Sequence, residues 1–468
     1  MIRLLVGLLL ALAPAAGHAA EPLQLAEVLS ASARHAPQII EAMMRERQAA
    51  GRLTAATGAF DTVFETDLQV RPLGYYGGAV GEAKLATPMA QNGGSIYAGY
   101  RLSSGAFPSY DGGAYTNRFG EAKVGAVFAL MRGRLIDDRR ARVSIAETDV
   151  KIAELDREMV AIGVQRRAID AYQQWAAAGM RVAVYRDLLQ LADARQESIE
   201  RQIALGARPE LLAVENRQNI VRRRALLVRA EQELAQAANN LSFYYRDASG
   251  APVTPTSDRL PPTFPTFVVP DKGENLARSL DRPDLESLLM RLAQAEVRMA
   301  LARNDLAPRL DLRAELSKDL GPAGFAGNSR TPAEAFVGLK LTVPLQRREA
   351  RGRFAEARAE ADGVRARRRL VEDQIVTEIN SIAIQVDAAK SLVGLAKDEA
   401  ALTSRMADAE RRRFALGASD FILVNLREEQ AADARLRQLD TEFRLSAARA
   451  ELVAATVDRK QLGLQPQG

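Results

Sequence analysis

The chain lacks several kinds of residue and motif, and each absence narrows its function. Its 468 residues include no cysteine, one tryptophan and two histidines. Without cysteine there is no disulfide framework, no thiolate metal site and no thiol to carry a lipid anchor. The histidines are His18 and His35, too few and too far apart to form a histidine-based catalytic or metal cluster. Neither a G-x-x-x-x-G-K-[ST] loop nor a G-x-S-x-G elbow occurs. Asp137 and Asp138, beside Arg139 and Arg140, form an acidic pair, which near a helix start complements the helix dipole. The sequence thus offers no catalytic residue, no metal site and no cofactor site. Aromatics make up 5% of the chain, which argues against several compact cores.

The first residues read as a secretory signal peptide, 1–20. Arg3 precedes an apolar run, Leu4–Ala13, followed by Pro14 and small residues, with cleavage expected after Ala19 or Ala20. The run is well short of the ~20 residues that span a bilayer. Beyond it no apolar stretch of membrane length remains, so entry into a membrane would require a β-barrel. Removing Arg3 takes the net charge from +5 to +4 (5 − 1), a mild excess interleaved with acids along helices. That pattern describes solvated helix faces rather than a nucleic-acid surface.

What the chain does have is long helices, rich in Ala, Arg, Glu, Leu and Gln. From about Arg134 to Leu205 there is no proline, and Gly163 and Gly179 are the only glycines. Small or apolar residues recur there at Val143, Ala146, Val150, Ala153, Val160, Val164, Ala168, Tyr172 and Trp175. Steps of three and four mark one buried seam. A second stretch, Arg347–Leu416, predicts a seam through Ala355, Ala359, Ala366, Ile375, Ile379, Ile382, Val386 and Ala389. Some seventy residues would span roughly 105 Å at 1.5 Å each, more than one compact domain can enclose.

Four short segments alternate with period two instead: Phe60–Arg71, Glu121–Leu130, Arg309–Lys318 and Val337–Val343. In the third, Leu310, Leu312, Ala314 and Leu316 oppose Arg309, Asp311, Arg313, Glu315 and Ser317. A sheet on a soluble domain would look the same. Here the neighbours are very long helices, so the apolar faces are expected to meet lipid and the charged faces a watery lumen. Four strands cannot close a useful barrel alone, so several copies must contribute. Between the first two strands lies a Gly- and Tyr-rich stretch, Tyr75–Phe119, containing Tyr75, Tyr76, Tyr97, Tyr100, Tyr110 and Tyr115. It suits the outer end of a barrel or a surface loop, and within it Ser95–Leu102 is a candidate further strand.

The order of elements repeats. "ALGAR" at 204–208 and "ALGAS" at 415–419 are 417 − 206 = 211 residues apart, measured between their glycines. "APQI" at 36–39 corresponds to "RPDL" at 282–285, and "VGAVFALMRGR" at 124–134 to "VGLKLTVPLQRRE" at 337–349. The earlier landmark gives 283 − 37 = 246, so the first half carries an extra thirty or so residues in the Tyr/Gly stretch. The expected organisation is a first repeat over 21–250 and a Pro-rich linker over 251–272. A second repeat follows over 273–462, then a tail over 463–468. Each repeat reads helix, strand pair, long helical hairpin, with hairpin tips at 204–209 and 415–420.

The duplicated order, the "RPDL" helix opening and the "RRRFALGASDFILVNLREEQ" turn resemble the TolC-type outer-membrane efflux proteins, also called outer membrane factors. The resemblance covers essentially the whole mature chain. It implies a mainly α fold with β, in which a homotrimer forms a twelve-stranded outer-membrane β-barrel continuous with a long periplasmic α-helical barrel. It implies location in the outer membrane of a Gram-negative bacterium with a large periplasmic part. It also implies partners: a periplasmic adaptor (membrane fusion) protein, an inner-membrane pump or ABC exporter, and outer-membrane lipid. The expected function is a passive exit duct in tripartite efflux or type I secretion, not an enzyme, with no cofactor and no nucleic acid. The other reading is a periplasmic coiled-coil adaptor or scaffold, which would leave the charged-face strand pairs without a purpose.

The resemblance places the adaptor-docking tips at Leu205, Gly206 and Ala207 and at Leu416, Gly417 and Ala418. Gly206 and Gly417 suit the left-handed residue that ends a helix. Family members often close the tip with Asp six and nine residues after this glycine. Those positions hold Leu212 and Glu215 in one copy and Leu423 and Leu426 in the other. The remaining candidates for a charged gate are Arg208, Glu210, Glu215 and Asp420. Cargo cannot be read from these residues, and no Met-rich or His-rich tract points to metal export.

Overall fold

A computed structural model describes residues 21–108, 114–269, 281–324, 330 and 332–464 of the chain. The expected signal peptide, Tyr110, residues 270–272 of the linker and the last four residues of the tail lie outside the described residues.

Seven helices and six strands follow in chain order among the described residues. Helices α1 (Leu25–His35) and α2 (Pro37–Thr57) lead into four strands, β1 (Val63–Arg71), β2 (Gly78–Pro88), β3 (Ser95–Gly105) and β4 (Glu121–Ala129). Helices α3 (Asp138–Ala204) and α4 (Leu211–Ser242) form the first long hairpin. The second repeat supplies α5 (Pro283–Asn304), β5 (Arg309–Asp319), β6 (Glu334–Thr342), α6 (Arg348–Ala415) and α7 (Phe421–Ala455). The long helices match in length, with 67 residues in α3 and 68 in α6.

Helix starts follow local chemistry. The Asp137 carboxylate accepts the Arg140 backbone N–H at 2.9 Å and caps α3, and Asp138 is the acid of its first turn. Pro283 sits in the first turn of α5, where its missing N–H would have had no partner, and Asp284 and Glu286 share that turn.

All six strands form one sheet in sequence order, antiparallel throughout. Directly opposed residues share a face, so the register fixes both sides. Phe64, Leu85, Ala98, Val124, Leu316 and Ala335 run across one face. Glu65, Lys84, Gly99, Lys123, Ser317 and Glu334 run across the other, one residue further along each strand. The apolar face is open, with Phe64, Leu68, Val337 and Leu339 among its exposed side chains.

The sequence expectation of four strands is therefore corrected to six. Ser95–Leu102 is a strand, longer than expected, and β2 was not anticipated at all. On its apolar face β2 carries Ala79, Gly81 and Ala83, with Leu85 as the one large residue. Small residues give little hydrophobic contrast and have poor strand propensity, which hides the alternation. Phe60, placed in the first strand by its spacing, lies instead in the 3-10 turn Gly58–Phe60.

By internal contacts the chain divides into two units, each drawing on both sequence repeats. One comprises residues up to Ile39, Ala161–Ser279 and Thr377–Gly468; the other comprises Ile40–Val160 and Leu280–Val376 and holds the sheet. In the first, the α3 seam at Val164, Ala168, Tyr172 and Trp175 is buried as its spacing predicts. Several of its polar groups are paired, though the buried Trp175 Nε1 and Gln173 Oε1 are not: the Tyr172 hydroxyl donates to the Leu23 carbonyl at 2.6 Å, and the Gln165 amide to the Leu29 carbonyl at 2.9 Å. The Gln173 amide donates to the Ser446 hydroxyl at 2.8 Å, which in turn donates to the Pro265 carbonyl of the linker at 2.9 Å.

The α6 seam is right from Ile375 through Val386 and wrong before it. Ala355, Ala359 and Ala366 are exposed, whereas Ala357 and Ala361 are buried. Alanines occupy several faces of that stretch, so alanine spacing alone cannot choose one. Stepping back by three and four from Ile375 through Val371, Arg368 and Val364 reaches Ala361 and Ala357.

Candidate functional site

The two hairpin tips lie in the same unit and are built alike. Gly206 has φ 68° and Gly417 has φ 77°, the left-handed region that only glycine enters freely. At each tip the glycine and the residue after it close the helix. The Gly206 and Ala207 N–H groups donate to the Ile203 and Gln202 carbonyls at 2.9 and 2.8 Å. Those of Gly417 and Ala418 donate to the Phe414 and Arg413 carbonyls at 3.0 and 2.9 Å. This paired bonding is the Schellman cap. A Cβ at either glycine would meet nothing within 4 Å, so conformation, not crowding, requires glycine.

Leu205 and Leu416 are each 84% exposed, at equivalent places on the two tips. Leu211 and Ile422, at the starts of the descending helices, are also exposed. Beneath them Ile199, Ala213, Phe414, Phe421 and Val424 form one small apolar core drawn from both hairpins, with Ile203 and Leu212 packed against it. The tips are thus held side by side while presenting four aliphatic side chains to solvent.

Among the described residues no hydrogen bond or ion pair links the four expected gate residues to one another. Asp420 caps α7, its carboxylate accepting the Leu423 N–H at 2.7 Å. Arg208 donates to the Gln202 side chain at 3.2 Å and lies over the Phe414 ring, 5.2 Å from its centroid. Glu210 sits at the start of α4 with helical backbone angles and makes no side-chain cap. Glu215 is exposed, on a groove with Asn219, Arg222, Phe421, Asn425 and Glu429. Across that groove Arg222 pairs with Glu429.

Sequence reading missed the charged group behind the tips. Arg195 of α3, Arg223 of α4 and Glu428 of α7 meet in the interior, with Arg223 1% exposed as a side chain and Glu428 equally covered. One Glu428 oxygen bonds Arg195, and the other accepts from Arg223 at 2.9 Å. Two guanidinium groups therefore share one carboxylate. Uncharged oxygens add to the set: Arg223 also donates to the Leu188 carbonyl at 2.7 Å, and Arg195 to the Asn425 side chain at 2.5 Å, while the buried Arg223 Nε has no acceptor. Asn219 donates to Asn425 at 2.9 Å, linking α4 to α7. Burial holds the Arg223 guanidinium below its ordinary pKa, with the Glu428 charge acting the other way. The signal was present in the spacing, because Ala213, Asn216, Asn219, Arg223 and Ala230 are the buried seam of α4. Polar residues in a seam read by eye as a solvated face.

Among the described residues no helix is long and apolar enough to cross a membrane, and no group of acids and histidines could hold a metal ion. Each strand of the sheet leaves at least one side chain of the apolar face exposed: Phe64, Leu85, Ile96, Val124, Leu316 and Val337.

The sequence model of the outer membrane efflux protein family matches residues 278–457. The chain is similar in structure to the outer-membrane channel OprN, with TM-score 0.66 and 17% identity, over 92% of this chain and 89% of that one. It is similar to the CmeC outer membrane channel of Campylobacter jejuni, with TM-score 0.63 and 14% identity, over 92% and 85%. The open state of the MtrE outer membrane channel of Neisseria gonorrhoeae gives TM-score 0.64 and 13% identity, over 94% and 89%. No curated protein sequence matches.

Proposed function

We propose that this chain, whose residues 278–457 match the outer membrane efflux protein family and whose fold is TolC-like, is the outer-membrane exit duct of a tripartite efflux or type I secretion system. In this reading three copies assemble. Their sheets close a barrel in the outer membrane, and their helical hairpins reach into the periplasm towards a periplasmic adaptor and an inner-membrane pump or exporter. The observation that carries the reading is the sheet. It offers lipid a continuous apolar face and offers water a face bearing Glu65, Lys84, Lys123, Arg313 and Glu315. A periplasmic adaptor or scaffold would have no use for an apolar sheet left uncovered.

The duct is passive, and energy comes from the partner. Adaptor contact falls on Leu205, Gly206 and Ala207 and on Leu416, Gly417 and Ala418, where exposed leucines flank rigid turns. The charged-gate reading of Arg208, Glu210, Glu215 and Asp420 is weakened by their separate roles. The Arg195–Glu428–Arg223 group, which ties α7 to the first hairpin, is the better candidate for holding the tip shut.

The experiment is extraction of the protein from outer membranes, measurement of its mass and reconstitution in planar bilayers. A trimer that conducts ions supports the reading; a water-soluble monomer overturns it. Leu205→Asp with Leu416→Asp is expected to abolish export, scored by drug susceptibility or secretion, while leaving the trimer intact.

A further inference from the structure

The β2–β3 hairpin is an insertion into a duplicated plan, and its position in the sheet has a consequence for the pore. In the second repeat β5 and β6 are adjacent and joined by residues 320–333, 14 residues by 333 − 320 + 1. Their counterparts β1 and β4 are separated by residues 72–120, 49 residues by 120 − 72 + 1. The surplus, 49 − 14 = 35, equals the offset between the repeats, 246 − 211 = 35. Most of it is the hairpin Gly78–Gly105, 28 residues by 105 − 78 + 1.

The hairpin forms part of the sheet wall. β2 pairs with β1 over nine residues and β3 with β4 over seven, and both keep the alternation of their neighbours. Leu85, Ile96 and Leu102 stand on the apolar face, and Lys84, Glu82 and Arg101 on the charged one. Bonds on the charged face stitch it in: Lys123 of β4 reaches across Gly99 of β3 to Glu82 of β2, and Arg101 pairs with Glu121 at 2.5 Å. Two strands are also the smallest insertion that leaves β1 antiparallel to β4. The four strand ends that join helices therefore stay at one end of the sheet.

The outer edges of β1 and β6 are open. Every residue of β1 is exposed, and so is all of β6 except Gly338. Unpaired backbone at a strand edge cannot remain in lipid, so each edge must find a partner. The sheet begins and ends on antiparallel strands, so β6 of one copy can continue into β1 of the next without changing direction.

We propose that the β2–β3 hairpin is a membrane-embedded part of the wall, so that three copies close a barrel of eighteen strands (3 × 6) rather than twelve, widening the outer-membrane exit. The proposal rests on the trimeric duct reading above. With strands ~4.8 Å apart and tilted ~40°, twelve strands give a backbone diameter of about 24 Å and eighteen about 36 Å. The cross-section rises about twofold on the same geometry. The hairpin thus sets the upper width for cargo at the outer membrane, and its Lys84, Glu82, Arg101 and Tyr97 line the added wall.

The test is electron cryomicroscopy of the full chain in detergent, with native mass spectrometry to count copies. Three copies and an eighteen-stranded ring are expected. Three copies with a twelve-stranded ring, the hairpin lying outside the wall, would overturn the proposal and leave the trimer standing. A different copy number overturns the trimer, and strands per copy still decide the rest: six support the hairpin as wall, four sink it. Labelling gives a second, independent answer, since the chain has no cysteine of its own. In cells, Lys84→Cys should react with a water-soluble maleimide and Leu85→Cys only with a membrane-permeant one; equal reaction of both with the soluble reagent overturns the embedding. Excision of residues 78–105 joins Gly77 to Ala106, whose backbones already meet at 2.8 Å. The excised chain should form a ring of about 24 Å; an unchanged diameter would show that the hairpin never formed part of the wall.

Discussion

The ring of Tyr97 occupies the space that a side chain on Gly125 would need. A Cβ on Gly125 would lie 2.5 Å from the tyrosine ring and hydroxyl. The two residues face each other across β3 and β4, and the empty position lets the phenol reach Glu315 on β5, where the Arg313 guanidinium also donates to it at 3.1 Å. One glycine thus lets three strands share a bond network on the charged face. Gly125→Ala is expected to unseat the ring and cost about 1–3 kcal/mol, the usual penalty for overpacking. Tyr97→Ser should suppress part of that loss by removing the ring, while the Ala314 carbonyl, 2.9 Å from the added Cβ, still crowds it. Heat-resistance of the extracted assembly on gels measures both; no difference between Gly125→Ala and the native chain would mean that the ring is not held there.

Removing Glu428 alone should be more damaging than removing its whole group. Glu428→Gln would leave two buried guanidinium groups, Arg195 and Arg223, without a countercharge. Breaking a buried pair from one side costs about 3–5 kcal/mol, whereas replacing all members with well-packed apolar residues is often neutral. The triple variant Arg195→Met, Arg223→Met, Glu428→Leu is therefore expected to melt closer to the native temperature than Glu428→Gln does. If the group also holds the tip shut, Glu428→Gln should raise single-channel conductance. Unchanged conductance with lowered stability would assign it a purely structural role.

The parts of this fold that could be read from sequence are those fixed locally. Gly206 and Gly417 announce themselves because a left-handed residue ending a helix is a demand of the backbone, independent of what surrounds it. Strands β1, β4, β5 and β6 were legible because Phe64, Val124, Leu312 or Leu339 contrast sharply with the charged residues beside them. β2 was not, because Ala79, Gly81 and Ala83 supply almost no contrast. Asp420 reads two ways in the sequence, since an acid after a tip glycine can open the next helix or line a gate, and the Leu423 N–H at 2.7 Å shows it capping α7. The interior charges at Arg223 and Glu428 depend on three helices meeting, which no single helix period reports.

Alkaline pH should weaken the unit that contains Tyr172. Burial pushes its hydroxyl from the ordinary 10.0 up to about 12. Between those values the unfolded chain releases the proton and the folded chain keeps it. The folded state therefore binds more protons there, and stability falls as pH rises. The contribution is complete below pH 10.0 and lost as pH passes through about 12. Tyr172→Phe should flatten that part of the stability–pH curve. At neutral pH it should cost about 1 kcal/mol, since the Leu23 carbonyl loses its donor. Helical circular dichroism during base titration gives the comparison, and an equally steep loss in the variant would exclude Tyr172 as the source.

Asp420 and Glu210 follow their tip glycines by three and four residues, yet their substitutions should differ. Asp420 accepts the Leu423 N–H, so Asp420→Ala removes a helix cap worth about 1 kcal/mol, while Asp420→Asn keeps an acceptor and most of that stability. Glu210 makes no side-chain cap, and Glu210→Ala should be close to neutral. The same comparison tests the charged gate. A gate needs the charge itself, so under that reading Asp420→Asn would alter conductance as much as Asp420→Ala. A cap needs only the oxygen, so under the structural reading the two variants separate in melting temperature, and neither changes conductance. Adding Glu215→Ala to Asp420→Asn removes a second exposed tip acid without touching the cap. An increase in conductance from that pair would restore the gate; none is expected.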